Sequence, residues 1–295
     1  MNSHLALSTL NLGLGGLVFL LGLVILRENP QLRLNRLVAM MLFFGGFGAV
    51  LAGIAFLPGR ADQSAAPELL QNMSYVWEFF FPTLFAFASV FPEERAFTQV
   101  PHPVIAGRRL WAPGFTTLVF APYVFHFVLM VLITMWKPHL TLPTQGPLHL
   151  LSPLLQVAGV FGGLFLVFHQ ALFSLVNLGV GLATMALLFN SWRRAKVPRL
   201  RRQLGAIAVG MSASLVCYSI ATLVPGVFNF RVPDAWRAVL TILALTLGPG
   251  SIAYSIVRYK FLDLKLLARR GILYALASGL LVGVYLLVVG RLNHY

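Results

Sequence analysis

The ionisable side chains that stand inside apolar stretches of this sequence are few. Glu78 lies in SYVWEFFFP, His126 in PYVFHFVLM and His169 in FLVFHQALF. A charge at the centre of a bilayer costs roughly 2.5–3.5 kcal/mol on insertion scales, so each such residue is a candidate for function. With the neighbouring aromatics Trp77, Phe79, Tyr123 and Phe127, they could line an outward-facing pocket. Such a pocket would bind a small ligand or respond to protons, because histidine changes charge near neutral pH. Glu78 and His169 sit at similar depth and could meet. The same residues also suit a hydrogen-bonded structural group within an interfacial aromatic belt. A two-histidine haem site at His126 and His169 is conceivable from residue type, but no cofactor is expected. No phosphate-binding loop, zinc spacing, nucleophile elbow or kinase motif occurs at a believable position. With eight acidic residues and a single cysteine, Cys217, the chain has little for acid–base work and cannot form an intrachain disulfide.

These residues must be positioned by membrane helices. The 295 residues are 58% hydrophobic and only 10% charged, against about 25% charged in an ordinary soluble domain. Hydrophobic runs of about 20 residues cross the hydrocarbon core as helices. Eight are expected, near 5–26, 37–57, 73–91, 112–136, 170–190, 205–228, 239–257 and 272–290. The apolar stretch 149–169 reads either as an outer-face helix or as an extension of the fifth run. The fold class is therefore all-α, a polytopic membrane helix bundle forming one domain over 1–295. Seventeen of the 22 basic residues fall in the loops after the first, third, fifth and seventh runs. Lysine and arginine concentrate on the cytoplasmic side, which places the N-terminus outside. Met1 to His4 carry no lysine or arginine, and no small-x-small cleavage site closes the apolar run before Arg27, so a cleaved signal peptide is not expected. The net charge of +14 is read as loop charge against anionic headgroups, with no nucleic-acid partner.

Two further features could transmit a signal. Gly248-Pro249-Gly250 interrupts the seventh run, since proline removes a helical hydrogen bond. It is either a hinge or a tolerated kink. Arg258 to Arg270, RYKFLDLKLLARR, mixes basic and apolar residues and suits a helix lying in the headgroup layer, or a simple positive anchor. Pro249, Arg258, Asp263, Arg269 and Arg270 are the hinge candidates. Glycine-rich stretches at Gly13, Gly15 and Gly16, at Gly45, Gly46 and Gly48, and at Gly162 and Gly163 are read as helix-packing positions.

The last third resembles the membrane regions of bacterial sensor histidine kinases with seven or more N-terminal helices. The matching residues are Pro249, Ala253, Ile256, Arg258, Tyr259, Lys260, Phe261, Asp263, Arg269, Arg270, Gly271 and Tyr274. Weaker matches are Asn29-Pro30, Asn35-Arg36, Phe91-Pro92 and Arg202-Gln203-Leu204. Lys260 stands where the family usually has arginine, and no phosphoacceptor histidine or ATP-binding region is present. The resemblance implies a sensory input region of a two-component sensor histidine kinase in the bacterial inner membrane. It also implies a homodimer in the lipid bilayer, with a response regulator as partner only through a missing output domain. The full-length protein would then be a kinase, although this chain holds no catalytic residues. Tyr295, after an eighth crossing, is expected outside, so a ninth crossing would precede that output domain. A small-molecule permease, or the sensor region of a membrane phosphatase or nucleotide cyclase, are the alternative readings.

Overall fold

A computed structural model describes residues 3–55, 73–98, 104–105, 108–109, 114–136 and 152–259. The elements are α1 (Ser3–Glu28), α2 (Arg33–Ala55), a 3₁₀ turn (Ser74–Phe79), α3 (Phe80–Val90), a short 3₁₀ turn (Ala96–Thr98), a two-residue antiparallel pairing of β1 (Val104–Ile105) with β2 (Arg108–Arg109), α4 (Phe115–Trp136), α5 (Ser152–Arg194), α6 (Pro198–Tyr218), a π turn (Ser219–Leu223), α7 (Val224–Phe228) and α8 (Asp234–Tyr259). The described architecture is an all-α bundle. Six of its helical stretches are long and apolar enough to cross a membrane, and Tyr75–Val90 is a shorter apolar one. Seven of the eight expected runs thus coincide with helical segments. The eighth, 272–290, lies outside the described residues, as do Asp263, Arg269 and Arg270.

Two of these segments depart from simple spans. The third run begins as a 3₁₀ turn and becomes α-helical only at Phe80. The stretch before the fifth run extends it. α5 runs unbroken for 43 residues, about 65 Å at the usual rise, or twice the thickness of a hydrocarbon core. Pro153 sits in its first turn, where a missing N–H breaks no helical bond. Arg193 and Arg194 close its last turn, where cations complement the helix dipole. Val197 is extended and Pro198 opens α6, a start signal readable in the sequence. Asn229, in the left-handed region at φ 52°, ends α7.

α1 packs along α2 as one hairpin, and α6 along α8 as another, with α3 and α5 joining them. Lipid tails are as apolar as leucine, so association here rests on close packing and interhelical hydrogen bonds. At Gly46 a Cβ would lie 2.5 Å from the backbone nitrogen of Phe19 and 2.6 Å from the carbonyl of Gly15, so α1 and α2 touch backbone to backbone. The packing reading of Gly15, Gly46 and Gly48 therefore holds. Gly13, Gly16, Gly162 and Gly163 have open space around them and do not act this way. Ser8 Oγ donates to the carbonyl of Gly53 at 2.6 Å, and Ser214 Oγ to that of Ala244 at 2.7 Å. Each such bond between helices contributes about 0.6 kcal/mol.

Polar contacts also gather three chain reversals at one end of the bundle. Arg33, opening α2, donates to Glu94 Oε1 at 2.7 Å. Arg95, in the loop after α3, donates to Ser191 Oγ at 2.7 Å near the end of α5. The loops after the first and third runs and the basic end of α5 thus lie together. α8 passes through Pro249 without ending, so the expected interruption of the seventh run is a proline carried inside a continuous helix.

Candidate functional site

The buried face of α4 presents Tyr123, His126 and Met130, spaced three and four residues apart as one stripe. Opposite it, Phe165, His169 and Phe173 repeat every four residues along α5. Between them lies the 3₁₀ turn, where residues three apart eclipse. Tyr75 and Glu78 therefore project from one side of it.

At the centre, Nδ1 of His126 and Oε2 of Glu78 lie 2.6 Å apart, with the imidazole 0% exposed and the carboxylate side chain 6%. A separation this short belongs to a charge-assisted bond. Phe173 stacks flat on the imidazole, centroids 3.7 Å apart and planes 10° from parallel. Tyr75 meets the same ring edge-on at 5.2 Å. Its hydroxyl is 3.4 Å from Nε2 of His169, whose Nδ1 lies 2.8 Å from the carbonyl of Leu166. A carbonyl can only accept, so Nδ1 of His169 carries the proton. In the neutral ring, Nε2 then accepts from the Tyr75 hydroxyl. The rings of His126 and His169 stand 5.6 Å apart. Nε2 of His126 and the hydroxyl of Tyr123 are buried without a hydrogen-bond partner.

The structure thus joins Glu78 to His126 rather than to His169, which reaches the pair through Tyr75. Trp77 turns the other way. Its Cβ rests against Gly48 of α2 and its ring is 5.0 Å from that of Tyr218 in α6. Pro249 is buried in α8 and Arg258 is exposed in its last turn. Sequence reasoning missed Tyr75 and Phe173. The signals were present: Tyr75 precedes Glu78 by three residues, and Phe173 follows His169 by four. Reading the first needed the turn to be 3₁₀ rather than α.

Chemically, the pair can hold one shared proton at zero net charge, as carboxylate with imidazolium or as carboxylic acid with imidazole. Gaining or losing a proton leaves a net charge in a low-dielectric site, which water or repacking must then compensate. Both nitrogens of His169 and one of His126 are engaged. Among the described residues no group of three or more His, Cys, Asp or Glu is placed to hold a metal ion. Comparison with known proteins finds no matching family model, no matching curated protein and no matching solved structure.

Proposed function

We propose that this chain is a membrane-embedded sensory input region of a signalling protein, of the sensor histidine kinase type, with the Glu78–His126 pair as its stimulus-receiving element. One observation carries the reading: a buried carboxylate–imidazole pair, 2.6 Å apart, joins segments on two different chain elements and leaves Nε2 of His126 without a partner. Because the pair clamps the 3₁₀ turn to α4, and a change in its net charge must be met by water or repacking, it biases the bundle between two arrangements. α8, with Pro249 inside it and Arg258 at its end, is the element through which the change would leave the membrane. The matching residues from Pro249 to Tyr274 support the kinase type.

The same reading has eight spans with the N-terminus outside. The common end shared by Arg33, Glu94, Arg95 and Ser191 supports the alternation of loops. That end carries the basic residues and faces the cytoplasm of the inner membrane.

Infrared difference spectra of the full chain in vesicles, recorded across about pH 5 to 8, test the site. Glutamate carboxyl and imidazole bands are expected to change together, and Glu78→Gln is expected to remove both changes. Spectra identical in the wild type and Glu78→Gln would contradict the proposal.

A further inference from the structure

A half-open cavity of about 210 Å³ lies among α1, α2, α3, α6 and α8, and neither Glu78 nor His126 lines it. Two departures from regular α-helix and a proline carried inside a third helix meet on its wall. Trp77 comes from the 3₁₀ turn, Thr222 from the π turn, and Pro249 from inside α8. These elements are far apart in sequence, so their convergence is not a property of one local stretch. Within a membrane, irregular backbone is tolerated where protein buries it or where it lines a cavity, and π turns concentrate at functional sites. Proline also has no N–H, so the carbonyl of Leu245, four residues earlier and also on the wall, loses its usual helical donor. Asn11, Ser214, Tyr218 and Thr241 add polar but uncharged groups to a mostly apolar lining.

We infer that this cavity is a binding site for a small uncharged ring compound that enters from the lipid phase. The lining holds no carboxylate, histidine, lysine or arginine, so nothing there complements a charge. An engineered cavity of about 150 Å³ holds benzene, so this one admits roughly eight to ten non-hydrogen atoms, a ring with a short substituent. Apolar walls with a few convergent polar groups are the usual make-up of a small-molecule site. One hydroxyl on the ring would find acceptors at Leu245 and Thr241. Because Trp77 directly precedes Glu78 and Pro249 lies in α8, an occupant would touch both elements invoked above. The inference nevertheless stands on the cavity alone and does not rest on the proton-pair reading.

The test is photolabelling of the full chain in phosphatidylethanolamine–phosphatidylglycerol vesicles with a trifluoromethyl phenyl diazirine. Label is expected on peptides containing Trp77, Thr222 or Pro249. para-Ethylphenol at about ten times its Kd is expected to cut it about tenfold, by mass action. Label spread over the lipid-facing helix surfaces, or unchanged by the competitor, would overturn the inference. Gly45 lines the cavity, and a Cβ there meets only Phe80, at an ordinary 3.6 Å. Gly45→Leu should therefore fill the space and abolish labelling while leaving the infrared response of Glu78 intact. Undiminished labelling at those peptides in a folded Gly45→Leu protein would equally overturn it. The competition in the wild type decides the matter without any variant.

Discussion

At Glu78 the chain buries a carboxyl where an uncompensated charge is costly, and His126 is what makes the burial tolerable. The two are therefore not equivalent to mutate. His126→Ala leaves the carboxylate buried alone and is expected to destabilise by about 3–5 kcal/mol. Glu78→Gln still offers an oxygen to Nδ1–H and should cost only about 1 kcal/mol. Unfolding titrations in mixed micelles would separate these two figures, and equal losses would show that the pair is not coupled in this way. A second carboxylate behaves differently because it lies outside the spans. The Arg33 guanidinium holds the Glu94 carboxyl below the usual range, first through its hydrogen bond and then through its charge, with Thr98 adding a further bond. A depressed value means the contribution to stability is present above the ordinary glutamate value and is lost as pH falls through the lowered one. Arg33→Gln should therefore move the Glu94 titration upward, read by carboxyl-carbon NMR, with little change in overall stability because both side chains are about half exposed.

Among the elements, α1 and α2 are held by the absence of side chains at their crossing. Gly46→Val would place atoms where Phe19 and Gly15 already stand and is expected to cost about 1–3 kcal/mol by overpacking. Gly16→Ala has open space around it and should be neutral or stabilising by a few tenths to about 1 kcal/mol. Thermal unfolding of the two variants tests the pair, and a reversed order would refute the crossing. These contrasts also show what the sequence could and could not reveal. Helix positions were legible because about 20 apolar residues in a row have few other solutions. The expected runs 170–190 and 205–228 fell short of the end of α5 at Arg194 and the start of α6 at Pro198, because hydropathy stops where the basic residues begin while the helices continue through them. Which of several glycines face a neighbour was not, because all share the same apolar surroundings and only helix rotation distinguishes them. The site was half legible. Glu78, His126 and His169 stand out by type, but their pairing depends on the 3₁₀ turn and on the register of α4 against α5, neither of which hydropathy encodes.

At the scale of the whole molecule, the proposed function requires that the basic end of the bundle face the cytoplasm and that the buried pair set the arrangement of the helices. Alkaline phosphatase inserted near residue 60 or residue 231 should be active, and inserted near Lys196 inactive. The opposite pattern would invert the orientation. The central claim, that the Glu78–His126 pair governs a rearrangement delivered through α8, is tested most directly by a distance measurement. Spin labels at Asn29 and Arg258, both exposed at the ends of their elements, would be placed in a full chain with Cys217 replaced by serine. Their separation would be read by pulsed electron resonance in vesicles across about pH 5 to 8. The account predicts a pH-dependent change in the distance distribution that Glu78→Gln abolishes. A distribution that does not change with pH in the wild type, or that changes identically in Glu78→Gln, would contradict it.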